Sequence, residues 1–364
     1  NAPDRPLMAG PIFPRPAPSA CRSLLNPLRM FTYTLRRLLT AVPTVLIISL
    51  VIFMLLELAP GDPMSDVPMT VPPEVKAAMR DALGLDQPSW VRYLLWLKQF
   101  FWVEPLHLID HYFGTAYGAN MQRVISWQTR SPVSELIIQR MPQTLWVVGM
   151  GYLVGVSLAV PIGVLSAYKQ YSWFDQIGTF ISMIGFSVPT FFTGVLLIVV
   201  FSVYLNWFPS IYDTTLVVNS WPSFVEQVRQ MVMPVAVLAL YNAAQVSRYM
   251  RASMLDNLGQ DYVRTARAKG MREKTVVLIH VLRNSMIPVV TVIALGVPSI
   301  FAGAIITEQV FKVNGLGQLL INAIQVNDLP MVQTLTFIFA VLIVAFNLIA
   351  DVLYGILDPR IRYD

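Results

Sequence analysis

Cysteine is almost missing: Cys21 is the only one in 364 residues. A single thiol excludes an internal disulfide and a cysteine-built metal site. Charge is scarce too. Asp, Glu, Lys and Arg make up 13% of the chain, against about 25% in ordinary soluble domains. That is too little to clothe a water-soluble surface of this size. No Gly-Lys step occurs anywhere, so the phosphate-cradling loop that needs one is absent from this chain. Histidine is limited to His107, His111 and His280. His107 and His111 stand four apart, but no His-Glu-x-x-His frame surrounds them, so they read as structural or interfacial and not as metal ligands. The net charge of +5 is modest and reads as loop asymmetry rather than nucleic-acid binding.

Apolar residues are abundant, at 55% of the chain, and the mean hydropathy is +0.58. They gather in charge-free windows long enough for a membrane span of about 20 residues. The windows predict an all-α membrane protein with six transmembrane helices near 38–58, 143–167, 177–204, 231–249, 286–307 and 331–353. Lys and Arg set the direction. With the N-terminus inside, segments 1–37, 168–176, 248–286 and 354–364 hold 17 basic residues, against nine outside. Both termini are therefore expected in the cytoplasm, with a long extracytoplasmic loop at 60–142. Of the candidate intramembrane acids, Glu57, Glu308 and Asp351 all fall near span ends.

Residues 1–29 are proline-rich, lack an apolar run and read as a disordered extension. Residues 30–364 are expected to form the transmembrane domain, and Met30 is a plausible native start. The first apolar run has full span length and no small-residue cleavage pattern, so no cleavable signal is expected. In the outer loop a helix is predicted from Pro72 to Leu83, stopped by Gly84. Segment 89–102 is dense in aromatics, including Trp90, Tyr93, Trp96, Phe100, Phe101 and Trp102. It reads either as an interfacial belt or as a docking surface for an external partner. Pro43, Pro161, Pro189, Pro234, Pro288 and Pro298 lie in the predicted spans. Each removes a backbone hydrogen bond, which is compatible with packing irregularity or with bent helices around a path.

The longest internal connection, 256–285, is also the most basic one. Asp261 to Lys269 is built of helix formers with an acid near its start, and Gly270 supplies a stop at positive φ. A second amphipathic run follows, through Val276, Val277, Ile279 and Leu282. His280 lies on it and is assigned to packing. Tyr262, Ala266 and Met271 are expected to give the first helix a small apolar side, flanked by Arg264 and Arg267. Such a helix–glycine–helix unit is either a basic surface loop or a short helix that docks in a groove of another protein.

The segment Asp261-Tyr262-Val263-Arg264-Thr265-Ala266-Arg267-Ala268-Lys269-Gly270, followed by His280-Val281-Leu282-Arg283-Asn284 and Pro288, resembles the coupling motif of bacterial ABC importer permeases. It is similar to the dipeptide/oligopeptide/nickel branch, where the general Glu-Ala-Ala…Gly pattern lacks its Glu, as Arg264, Thr265, Ala266 and Gly270 do here. The resemblance runs through most of the chain. It includes Leu58-Ala59-Pro60-Gly61-Asp62-Pro63, Arg140-Met141-Pro142-Gln143-Thr144-Leu145, Ser187-Val188-Pro189, Glu308-Gln309-Val310-Phe311, Gly315-Leu316-Gly317 and Asp358-Pro359-Arg360. It fits the dipeptide-permease B type. Asn314 replaces a usual proline, and 101–130 departs from the family pattern.

The resemblance implies a type I ABC importer permease in the bacterial inner membrane, forming half of a pore. Its implied partners are a second homologous permease subunit, two ATPase subunits that bind ATP and Mg, and an extracytoplasmic substrate-binding protein. No cofactor is implied in this chain. The implied ATPase-coupling residues are Asp261, Tyr262, Arg264, Thr265, Ala266, Arg267, Gly270 and Met271. Peptides lead as the solute class, with nickel complexes, sugars and opines open. An ion-coupled secondary transporter is the alternative; it would place an ionisable group deep in a span. An intramembrane enzyme and a structural scaffold are further rivals, the first short of histidines and the second in no need of a coupling segment.

Overall fold

The structure is a computed structural model; it describes residues 27–58, 71–82, 87–119, 121–298, 300 and 305–357. The extension up to residue 26, the turn at Pro60–Pro63 and the Asp358–Arg360 motif lie outside the described residues. Among those residues every regular element is helical, apart from one isolated bridge between Ile125 and Pro132.

Helix α1 is Pro27–Glu57, so its first turn falls within the stretch read as a disordered extension. The outer segment contributes α2 (Pro73–Ala82), α3 (Ser89–Lys98) and α4 (Glu104–Phe113). The long helix α5 is Val133–Tyr168. It starts ten residues before the predicted span, because Glu135 and Arg140 occupy helical turns beyond the apolar stretch. Next come α6 (Trp173–Ser187) and α7 (Thr190–Tyr204), then α8 (Trp221–Leu258), α9 (Asp261–Ala268) and α10 (Glu273–Gly296). The chain ends in α11 (Ile305–Phe311), α12 (Leu316–Gln325) and α13 (Leu329–Leu357).

By length and apolarity, four helices can cross a membrane: Thr32–Glu57 of α1, α5, α10 and Leu329–Val352 of α13. The chain is a multi-pass membrane protein. The single helix expected at 177–204 is two: α6 and α7 meet at a 106° bend and together form a fifth candidate span. Val188 is extended there (φ −80°, ψ 127°), the conformation a following proline imposes. Pro43, Pro142, Pro161, Pro234 and Pro288 instead sit inside continuous helices. The span expected at 286–307 is helical already from Glu273 and regular only to Gly296.

Helices α5 and α8 form the spine. Gly151, Gly155, Ala159 and Gly163 recur every fourth residue along α5. A Cβ on Gly155 would stand 2.9 Å from the Ala239 carbonyl oxygen, and one on Gly163 2.7 Å from that of Ser247. Small residues let two backbones approach this closely, and in lipid that packing supplies what the hydrophobic effect supplies in water.

Part of the aromatic segment packs against the chain's own helices. Tyr93 and Trp96 pack on Phe53 of α1 (centroids 5.4 and 6.3 Å), while Trp96 and Phe100 pack on Phe337 of α13 (4.9 and 4.4 Å). Arg92 pairs with Glu57 at 2.6 Å. This wedge ties α3 to the first and last long helices; Trp90 and Trp102 remain exposed.

The stretch 101–130, patternless in sequence, is held by acids. Buried Glu104 accepts from the Ser134 hydroxyl (2.7 Å) and the Val124 N–H (3.1 Å). Asp328 accepts from the Trp127 N–H (3.2 Å) and the Ser126 hydroxyl. Asp110 accepts from the Thr115 hydroxyl (2.5 Å) and the N–H groups of Tyr117 (2.9 Å) and Gly118 (2.6 Å). His107 Nε2 donates to the Met121 carbonyl (3.1 Å) and His111 lies edge-on to Tyr112.

Two outcomes are expected. Replacing Gly163 by Leu should force α5 and α8 apart at a cost of about 1–3 kcal/mol and lower the melting temperature of the purified protein. Gly149→Ala, with nothing within 4 Å of the new methyl, should not. The Thr115 hydroxyl, followed by the loop N–H groups, holds the Asp110 carboxyl below its ordinary 3.8. A lowered folded value favours the ordered loop fully above the ordinary one, and that contribution is lost as pH falls through the lowered one. Amide exchange at Tyr117 and Gly118, corrected for intrinsic rate, should therefore stay slow from neutral pH down to about 4 and accelerate below it.

Candidate functional site: the helix–glycine–helix segment

The eight residues of α9 meet two environments. Val263 (0% exposed) and Ala266 (7%) point inward, into one cluster with Ala159, Val164 and Ala167 of α5, Met250 and Met254 of α8, and Val276, Val277 and Val281 of α10. Asp261, Tyr262, Arg264, Thr265, Arg267 and Ala268 are exposed. A helix this short is not stable alone; tertiary anchoring by two side chains at i and i+3 holds it in place.

The expected apolar side formed by Tyr262, Ala266 and Met271 is split. Ala266 is buried against the protein's own core and Met271 packs on the same cluster. Tyr262 lies outside and donates its hydroxyl to Asn257 Oδ1 (3.0 Å). Ala266 and Met271 therefore support the surface from beneath, and Asp261, Arg264 and Thr265 present it. Arg264 makes only a loose contact to Asp261 (3.4 Å), with both side chains largely in solvent. The Thr265 hydroxyl donates to the Asp261 carbonyl (2.9 Å).

The turn closes through backbone. Gly270 sits at φ +72°, and the Met271 N–H reaches back to the Ala266 carbonyl (3.3 Å), the six-to-one closure of a glycine-terminated helix. Arg267 then clamps the far side with two bonds to Glu273, at 2.7 and 3.1 Å. That carboxylate pushes the Arg267 guanidinium above its ordinary value. After the turn, α10 widens into π-helical geometry at Val276–Val281, whose three buried valines return to the cluster.

Two further links had no signal in the sequence. Buried Ser253 of α8 donates to the Ser285 carbonyl (2.8 Å), and Ser285 donates to the Ser253 carbonyl (3.2 Å). Arg251 of α8 grips Asp175 of α6 through two bonds (2.7 and 2.8 Å). Val263 was also overlooked; its i, i+3 spacing with Ala266 is the clue that could have found it. His280 is half-buried on the π-helical turn.

The three acids near span ends have partners. Glu57 pairs with Arg92 and Asp351 with Arg37 (3.0 Å). Glu308 is wholly buried in short α11, where its carboxylate accepts from the Thr144 hydroxyl (2.8 Å) and the Gln318 N–H (3.0 Å).

Fold and segment together define a multi-pass membrane subunit that holds a short polar helix out from its packed core. The comparisons give it a family. Residues 159–363 match the model of the binding-protein-dependent transport system inner membrane component, and residues 30–148 match the N-terminal model of such membrane components. The oligopeptide transport system permease protein AppB of Bacillus subtilis is 39% identical over 92% of this chain and 100% of its own length. The dipeptide transport system permease protein DppB of Escherichia coli K12 is 36% identical over 92% and 99%. The glutathione transport system permease protein GsiC of Salmonella choleraesuis is 37% identical over 92% and 100%. The chain belongs to the family of binding-protein-dependent transport system inner membrane components, in the dipeptide/oligopeptide ABC permease branch. It is a pore subunit of an ABC importer, a class that works with an ATPase and a binding protein. The ion-coupled alternative is thereby set aside.

Val263→Asp should place an unpaired charge in the cluster and lower the melting temperature by about 5–10 °C. Arg264→Ala, at the exposed surface, should stay within about 0.5 kcal/mol of the parent. Differential scanning fluorimetry of the two variants checks the division of α9 into anchor and surface.

Proposed function

We propose that this chain moves short peptides across the bacterial inner membrane as one of two homologous permease subunits, each seated on an ATPase subunit through a segment equivalent to α9. The observation that carries the coupling assignment is the two-sidedness of α9. Val263 and Ala266 lie in a core shared with α5, α8 and α10, while Asp261, Tyr262, Arg264 and Thr265 face solvent. A push on the exposed side would be delivered directly to three long helices.

On this reading Asp261, Tyr262, Arg264, Thr265 and Arg267 meet the ATPase; Ala266, Gly270 and Met271 set the position of that surface. ATP and Mg are bound by the partner, and this chain carries no cofactor. The broken pair α6–α7 and the more polar α8 complete six crossings, with both termini in the cytoplasm and the 60–142 segment outside. Peptides are the solute class because the similar permeases named above carry oligopeptide, dipeptide and glutathione in their names.

Gly270 supplies the test. Nothing lies within 4 Å of a Cβ there, so the constraint is its φ of +72° alone. A β-branched residue is costly in that region, by about 1–2 kcal/mol, whereas Asn tolerates it. In the reconstituted importer, Gly270→Val should cut ATP-driven uptake and substrate-stimulated ATPase at least ten-fold, and Gly270→Asn should retain most of both. Normal activity in Gly270→Val would sink the coupling assignment.

A further inference from the structure

Arginine 248 points the wrong way for a residue at the end of a span. Three contacts between α6 and α8 fix the register: Arg251 pairs with Asp175, Ser247 bonds Ser182 (3.2 Å), and Gly185 packs on Leu240 and Ala244. A long cation near Arg251 would ordinarily snorkel toward that charged end. Arg248 instead reaches along α6 to Phe186, its guanidinium carbon 4.5 Å from the ring centroid. Phe186 lies eleven residues beyond Asp175, about 16 Å further along the helix at 1.5 Å per residue.

On the reading of 231–249 as a span, the guanidinium lies inward of the span's end, and its surroundings are polar for a bilayer interior. Tyr241 stacks on Phe186 (6.3 Å, 10° between planes). Tyr241, Gln245 and Arg248 fall at i, i+4 and i+7, on one face of α8. Tyr241, Arg248 and Phe186 are all exposed in the single chain. Among the described residues no carboxylate pairs with Arg248. An ionisable residue at membrane depth faces a bundle interior or a water-filled cavity, because lipid would not solvate it. The ring face holds the guanidinium in place without neutralising it, which leaves its N–H fork open for a carboxylate.

We propose that Arg248, held over Phe186 and flanked by Tyr241 and Gln245, is an anion-receiving step on the translocation path, taking the free carboxylate of a passing solute. The assignment rests on the reading of this chain as half of a peptide pore, and the peptide's C-terminal carboxylate is the group that fits.

The first arm of the test needs no peptide. In the assembled importer with Cys21→Ser, a thiol is placed by Gln245→Cys, and its reaction rates with anionic and cationic methanethiosulfonates are compared. A full positive charge one turn away favours the anionic reagent, so adding Arg248→Gln should lower the anionic-to-cationic rate ratio about ten-fold. An unchanged ratio, or a thiol that neither reagent reaches, overturns the proposal. The second arm measures ATP-driven uptake of trialanine and trialanine amide. A loss in Arg248→Gln confined to trialanine supports carboxylate capture, and equal losses for both overturn it. Failure of the parent importer to carry either probe counts against the peptide reading; the rate ratio then decides the anion site on its own.

Discussion

The close approach of α5 and α8 is the constraint on which the rest of the protein depends. At Gly151, Gly155 and Gly163 there is no room for a methyl group between the two helices. That fixes their axial register, and the register places everything else. It sets Arg251 opposite Asp175, Ser247 opposite Ser182 and Ser253 opposite Ser285. It also brings Met250 and Met254 over Val263 and Ala266. The short surface helix is thus seated on the ends of two closely packed helices.

For the proposed coupling role, the consequence is mechanical. A helix joined to its neighbours by exposed ion pairs alone would slip under load, since such pairs contribute little. Here the joint is a set of buried valines and methionines closed at one end by a positive-φ glycine. Interiors packed this way move as units rather than deforming gradually. Asp261 and Arg264 on the other side of α9 share only a loose contact (3.4 Å), so the anchoring falls on Val263 and Ala266.

Much of this was legible in the sequence. Charge-free windows located the long helices, and Gly270 marked the end of the short one. What the windows could not show was where helices continue past the apolar stretch, as α5 does through Arg140 and Glu135, since helical hydrogen bonding does not stop where hydrophobicity does. Nor could they separate Pro189, which breaks its span, from Pro161 and Pro234, which do not. The aromatic run 89–102 looked like a surface because aromatics favour interfaces; only the fold brings Phe53 and Phe337 to it. The division of α9 into anchor and contact needed the three-residue step from Val263 to Ala266, which the motif's charged letters overshadow.

The 106° bend between α6 and α7 also bears on the surrounding lipid. Two arms of 15 residues would reach about 45 Å end to end if straight, at 1.5 Å per residue. Folded through that angle, their ends lie only about 27 Å apart, less than the roughly 30 Å thickness of a hydrocarbon core. The pair therefore meets the bilayer as two short arms, a broken span or a re-entrant loop, and not as one straight rod.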